Sequence, residues 1–408
     1  MRQQLTTLIL LWAAWLVTLI AFQNVVTARL EPQRPDTVLN WTTSETGPTS
    51  HHDKPYLTEP FMNEQVAWDS EFYLSIALRG YDDPNVRTAT PVNEDDSPGQ
   101  EQVSLNYAFY PLYPWVIRIV SYPLRLVTPT PVASLTLAGV LVSALGALAA
   151  MIALFDIMRL REGDDSATRA AFYMLIFPTG FFLAMVYTEG LFMGLAFASL
   201  ALMQRKHLAW AGILAALAVW TRAVGIALIF PLAIAWWQSV DWSDRERLLP
   251  IAARGLLVLM PLAAFGIWWL IFHEPFKHVE DSFFGRSALA IEDSLAGWHD
   301  AFTSMSLASE RLVYYAMEFT AMILGFTACL VTLRHYPGLS LFGLAVIVIS
   351  FTSGVPQGMP RYVMAAPSVY IMLALLGRNK TFDRAWSLAS VLGLGLLSSL
   401  FAFDFWVG

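Results

Sequence analysis

The sequence predicts an all-α, polytopic transmembrane helical bundle with a long extracytoplasmic first loop carrying interfacial helices. Three observations carry this. Of the 408 residues, 56% are hydrophobic and 14% charged, against about 25% charged in an average soluble domain. The charge deficit lies in long apolar runs. Segments 5–26 and 131–155 hold no charge, and roughly 20 apolar residues cross a bilayer core of about 30 Å. The charge that remains is sorted along the chain. Between 27 and 105 there are 14 acids against 5 bases, a balance of −9, which leaves +2 for the rest. A soluble globule, a disordered chain and a disulfide scaffold are excluded, since Cys329 is the single cysteine and sits in an apolar run. A net charge of −7 argues against a nucleic-acid partner.

Orientation follows the lysines and arginines of short loops, whose excess stays cytoplasmic. The basic loops hold Arg159, Arg161 and Arg169; Arg205 and Lys206; Arg245, Arg247 and Arg254; Arg334; and Arg378, Lys380 and Arg384. These positions and the N-terminus are placed inside. The acidic first loop, 27–105, and a second long loop, 272–310, then lie outside. The whole chain, 1–408, reads as one integral-membrane unit.

The elements follow in order. Span 5–26 is longer than the core of a secretion signal, so a retained anchor is expected. In the first loop, Trp68, Phe72, Ile76 and the stem of Arg79 fall at helical spacing, which predicts a short amphipathic helix within 61–80 at the membrane surface. Segment 106–127 is apolar but broken by Pro111, Pro114, Pro123 and two arginines. It is either a short span or an interfacial helix. Further spans are predicted at 131–156, 170–186, 188–204, 251–272, 311–333, 338–353, 361–376 and 385–403. Segment 208–238 is too short for two spans and too long for one straight helix. A hairpin turning near Thr221-Arg222 is expected there. Irregular backbone at that depth is tolerated where it lines a cavity or is buried in protein.

Ionisable groups in such surroundings cost about 2.5–3.5 kcal/mol each on insertion scales and mark functional positions by default. Asp69 opens the amphipathic segment. Glu189 has no charge for 19 residues before it and 15 after it, and Arg222 is the one charge between His207 and Asp241. Arg361 begins a late span. Each has a structural alternative: Asp69 as a helix N-cap, Glu189 and Arg222 as an internal ion pair, and Arg361 as a snorkelling span end. His51, His52, His273, His278 and His299 lack metal-ligand spacing. No metal site is legible, although Asp69, Glu71, Asp82 and Asp83 leave a divalent ion open. No phosphate-binding glycine loop, dinucleotide fingerprint or nucleophile elbow is present, so no cofactor is expected.

Local strings carry a resemblance. Ala67-Trp68-Asp69-Ser70-Glu71-Phe72-Tyr73-Leu74-Ser75-Ile76-Ala77, continuing to Gly80-Tyr81, resembles the outer-loop motif of the PIG-V type mannosyltransferases. These are membrane glycosyltransferases of the C-type (GT-C) superfamily, related to the enzyme that adds the second mannose of GPI anchors. Phe109-Tyr110-Pro111-Leu112-Tyr113-Pro114 with Arg118 is similar to the family's aromatic-proline segment. Phe177-Pro178-Thr179-Gly180-Phe181-Phe182, Tyr187-Thr188-Glu189-Gly190-Leu191-Phe192, and Ala211-Gly212 with Thr221-Arg222 and Gly225 resemble the blocks that follow. Pro360-Arg361-Tyr362 is similar to a late Arg-Tyr. The similarity runs from about 60 to 370.

The resemblance implies a GT-C bundle that transfers mannose or a related hexose from a polyprenyl-phosphate donor to a lipid, glycolipid or protein acceptor on the extracytoplasmic face. It places the general base on Asp69, with Glu189 also catalytic. Glu189 is left with three roles: binding sugar hydroxyls, orienting Arg222 or sharing the base. Arg222 and Arg361 are the expected cations for the departing phosphate, and Trp68, Tyr110, Tyr187 and Tyr362 join them in binding substrate. The location implied is the plasma membrane in a prokaryote or the endoplasmic reticulum in a eukaryote. A transporter or lipid flippase is the alternative from another class, because broken helices and a buried arginine also suit a path across the membrane.

Overall fold

A computed structural model of the chain describes residues 2–90, 102–240, 255–287, 289–303 and 310–408. Its helices are α1 (Arg2–Arg29), α2 (Ser70–Leu78), α3 (Leu112–Leu124), α4 (Pro131–Glu162), α5 (Asp164–Leu175), α6 (Glu189–Gln204), α7 (Leu208–Thr221), α8 (Ile229–Ser239), α9 (Met260–Val279), α10 (Ile291–Thr303), α11 (Glu310–Thr332), α12 (Pro337–Phe351), α13 (Met359–Met364), α14 (Pro367–Leu376) and α15 (Lys380–Ala402). The expected all-α class holds, with one two-stranded ribbon pairing Thr88 with Ser104 and Ala89 with Val103. Among the described residues, five helical stretches are long and apolar enough to cross a membrane: α1, α4, Leu256–Phe284 containing α9, α11 and α15. This is an integral membrane protein.

The centre of the bundle is α4, packed on α6. Their backbones nearly touch because glycines face each other. A Cβ on Gly190 would lie 2.1 Å from Ser143 O, one on Gly146 2.3 Å from Gly190 O, and one on Gly194 2.7 Å from Gly146 O. Gly190 and Gly194 have the spacing that lets membrane helices approach closely. The consequence reaches the site, because Glu189 is the first residue of α6 and is driven into the interior with it.

Several expected spans are divided. Segment 170–186 is not one helix: α5 stops at Leu175, Pro178 interrupts the backbone, and a tight turn follows at Gly180–Ala184. Proline lacks the amide hydrogen and clashes with the preceding turn. Residues 179–190 are all buried, so this run is apolar because protein covers it. Segment 361–376 likewise splits into α13 and α14 at Pro367. The break at Thr221-Arg222 occurs where expected. After α7, Arg222 is extended (φ −154°, ψ 139°) and Ala223–Leu228 folds back as a 3₁₀ turn. Gly225 lets it do so, since a Cβ there would sit 2.7 Å from Ala218 C.

The start of expected span 251–272 falls partly outside the described residues. Its end is later than expected, because α9 passes Phe272 and continues through Glu280–Phe284. It stops at Gly285, whose φ of +61° suits a glycine helix terminus. In the first loop, α2 is not amphipathic as expected, for Ser70–Ala77 are buried on every side under α3 and α4. The open question at 106–127 resolves to a short helix. With 13 residues α3 is about 20 Å long, too short to cross alone. It buries Tyr113, Ile117 and Ser121 and exposes Trp115, Ile119 and Tyr122.

Candidate active site

The site begins at Trp68, whose backbone is left-handed (φ 52°), a conformation uncommon for a bulky residue. Its neighbours are pinned to the turn before α6. Ser70 Oγ donates to Val186 O at 3.1 Å, the Asp69 amide donates to Tyr187 Oη at 3.2 Å, and Tyr187 Oη donates to Ala67 O at 3.1 Å. Asp69 precedes α2, yet its carboxylate makes no cap hydrogen bond. It points instead at Arg361, with Oδ2 3.4 Å from Nη2 and 3.5 Å from Nη1. Among the described residues Asp69 Oδ1 accepts no hydrogen bond.

Glu189 is the hub. Its Oε1 accepts from Arg361 Nε at 2.8 Å and from Arg222 Nη1, and Arg361 Nη2 pairs with it electrostatically at 2.7 Å. Arg222 Nη1 also donates to Thr188 Oγ1 at 3.2 Å. The aromatic candidates form the lining of this charge cluster. The guanidinium carbon of Arg222 stands 5.0 Å from the Tyr362 ring centre, and that of Arg361 stands 4.8 Å from both Phe182 and Tyr187. Two carboxylates thus face two guanidiniums. Burying a charge is costly unless it is paired and hydrogen-bonded, and here each partner compensates the others. The structural ion pair is present, and it is widened to four members by Asp69 and Arg361. Access differs sharply within it, since the Asp69 side chain is 23% exposed and that of Glu189 3%.

The cluster opens into a cavity of about 650 Å³ that also reaches Trp68, Tyr110 and Tyr362. Tyr110 stacks on Trp268 in its wall, ring centres 4.3 Å apart. Trp68 meets Trp41 and Trp406 edge-on at 5.6 and 5.2 Å. Six of the eight candidates line this cavity, and Glu189 and Tyr187 stand behind them against Arg361.

Two further lining residues, Arg286 and Glu280, escape sequence reasoning. Arg286 donates to Tyr362 Oη at 3.4 Å, and half-buried Glu280 accepts the Arg286 amide at its backbone carbonyl. Glu71 faces the cavity, with Oε2 3.5 Å from Arg87 Nη2 and Oε1 without a hydrogen bond. Burial pushes the Glu71 carboxyl up to about 7, against the opposing pull of Arg87. Glu318 on α11 accepts the amides of Gly358 at 2.9 Å and Met359 at 2.7 Å, and so holds the start of the short helix that bears Arg361. Its signal was available: it is a lone acid inside an apolar span. The four acids that left a divalent ion open point apart. Asp82 takes Tyr107 Oη, Asp83 takes Tyr56 Oη and Ser75 Oγ, Glu71 faces Arg87, and Asp69 faces Arg361.

The family described as Mannosyltransferase (PIG-V) matches residues 96–239. That segment contains Tyr110, Tyr187, Glu189 and Arg222, whereas Trp68, Asp69, Arg361 and Tyr362 lie outside it. No curated protein matches the chain. Among solved structures it is similar to ArnT from Cupriavidus metallidurans bound to undecaprenyl phosphate, at 14% identity and TM-score 0.45, over 96% of this chain and 74% of that one. It is also similar to the oligosaccharyltransferase AglB from Archaeoglobus fulgidus in complex with an inhibitory peptide and a dolichol-phosphate. There the values are 13% identity and TM-score 0.42, over 97% of this chain and 56% of that one. Over residues 96–239 the chain is similar to the PIG-V mannosyltransferases, and that match covers less than half of its length.

Proposed function

We propose that the protein transfers mannose or a related hexose from a polyprenyl-phosphate donor to a hydroxyl of a lipid, glycolipid or protein acceptor, with inversion. The reaction takes place at the extracytoplasmic face of the plasma membrane in a prokaryote or of the endoplasmic reticulum in a eukaryote. The observation that carries this reading is the approach of Asp69 to Arg361 at 3.4 Å inside a cavity, in a chain whose residues 96–239 match a mannosyltransferase family.

Asp69 acts as general base. As the acceptor oxygen bonds to the sugar's anomeric carbon, its proton passes to Asp69, and the bond from that carbon to the phosphate oxygen breaks on the opposite face. Of the two carboxylates, Asp69 is the accessible one and keeps a free oxygen, as a base requires. Glu189, buried between two arginines, orients them. The departing polyprenyl phosphate gains negative charge near a low-dielectric surface, where a guanidinium in the cavity stabilises it through charge-assisted hydrogen bonds.

The test is transfer of label from polyprenyl-phosphate-[³H]mannose in membranes that contain wild type or Asp69→Asn. A labelled product with wild type alone supports the reading. Equal turnover by Asp69→Asn removes the base assignment. Labelled mannolipid crossing sealed vesicles with no product would favour a flippase.

A further inference from the structure

Five cationic side chains line the cavity: Lys54, Arg87, Arg222, Arg286 and Arg361. Four already hold a carboxylate. Lys54 and Arg87 share Glu45, and Arg222 and Arg361 share Glu189. Among the described residues Arg286 has no carboxylate within 4.0 Å. The hydrogen bond its guanidinium makes to them is the one to Tyr362 Oη. The acids whose fields reach it, Glu280, Asp69 and Glu318, do not touch it, and Glu280 Oε2 is itself buried without a hydrogen bond. The charge balance therefore differs among the arginines. Arg222 and Arg361 face two carboxylates between them and bring no surplus. Arg286 brings a positive charge that no contact neutralises.

Its position narrows the ligand. Arg286 follows Gly285, where the apolar stretch Leu256–Phe284 ends. Leu270 and Ile271 expose their side chains on that stretch. A cationic fork at the end of a long exposed apolar flank suits an anion that carries a hydrocarbon chain. Beside it, Tyr362 holds the Arg222 guanidinium over its ring and takes the Arg286 hydrogen bond at its hydroxyl, which fixes the fork's direction.

We propose that Arg286 is the cation that binds the phosphate of a polyisoprenyl monophosphate, with the chain along the flank of Leu256–Phe284. Arg222 and Arg361 hold Glu189 and Asp69 in place instead. This rests on the donor class proposed above. A guanidinium matches phosphate oxygens with two parallel donors, which an ammonium does not.

Binding decides it without turnover. Full-length protein in lipid nanodiscs is titrated with undecaprenyl phosphate, with undecaprenol and with inorganic phosphate. Arg286→Gln is expected to weaken undecaprenyl phosphate by about 10- to 100-fold, the usual range for a lost hydrogen bond to a charged group, and to leave undecaprenol unchanged. Arg286→Lys, which keeps the charge and loses the fork, is expected to fall between wild type and the glutamine variant. If Arg286→Gln does not fold, Arg286→Lys decides alone, and an undiminished affinity overturns the assignment. Equal affinity of wild type and a folded Arg286→Gln also overturns it while the donor class stands. Inorganic phosphate binding as tightly as the lipid would make this a free-anion site and overturn the lipid assignment. Wild type ignoring undecaprenyl phosphate would remove the donor class, and this assignment with it.

Discussion

Glu189 Oε1 lies 2.7 Å from Nη2 and 2.8 Å from Nε of Arg361, a residue 172 positions later in the chain. One carboxylate oxygen thus ties the start of α6 to the start of α13, and Arg222 joins it from the break after α7. The site's geometry depends on this oxygen, while the chemistry is assigned to its neighbour Asp69. Mutations separate the two roles.

Asp69→Asn keeps the side chain's size and removes its basicity. Turnover should fall by about 10²- to 10⁴-fold, the typical contribution of a positioned general base. Donor affinity and the thermal midpoint should stay near wild type, and steady-state kinetics with a thermal melt in detergent checks both.

Glu189→Gln leaves two buried guanidiniums facing a neutral amide. Breaking a buried ion pair from one side costs about 3–5 kcal/mol, so this variant should lose stability as well as activity. A melting midpoint equal to that of Asp69→Asn would contradict the hub role.

Glu318→Gln reaches the site indirectly. Glu318 holds the amides of Gly358 and Met359, and Gly358 is left-handed (φ 81°), where a glycine is needed. Each weakened bond is worth about 0.5–1.5 kcal/mol. Arg361 should shift with the turn, so kcat should fall with little change in donor KM. A donor KM raised with kcat untouched would speak for a different route.

Gly190→Ala places a methyl group 2.1 Å from Ser143 O. Backbone packed against backbone cannot yield as a side-chain tip does, and overpacking costs typically about 1–3 kcal/mol. The expected result is a lower melting midpoint and loss of activity together, because α6 carries Glu189.

The Glu71 carboxyl, raised by burial to about 7 from an ordinary 4.5, has a signed pH effect. The folded state binds its proton more tightly than the unfolded state, so stability falls as pH rises from about 4.5 to about 7 and is level beyond. Every tenfold gain in proton affinity on folding is worth about 1.4 kcal/mol of that fall. Glu71→Gln should flatten the slope, and the wild-type-minus-variant difference in melting midpoint across pH 4–8 isolates it.

Glu189, Arg222 and Arg361 were legible because each interrupts a long run without charge, and Asp69 because it opens the first motif. Asp69, Glu189, Arg222 and Arg361 all meet in one ion-pair cluster at the wall of the cavity. Glu318 offered the same signal. Arg286 offered none, because its neighbourhood in sequence is mixed and its significance lies in which carboxylates are already taken. Glu71 stood inside the first motif, but its burial depends on α3 and α4 closing over α2.

What the amino-acid order determined by itself is the class of protein: apolar runs of membrane length, basic short loops, and a break at Thr221-Arg222 that local composition demands. Tertiary structure alone decided which apolar runs are covered by protein, as at 179–190, and which charges neutralise one another. Hydropathy reports only that a residue avoids water, and lipid and protein interior satisfy it equally. Pairing between Asp69 and Arg361, 292 positions apart, follows from how α2, α6 and α13 pack, and no local period encodes it.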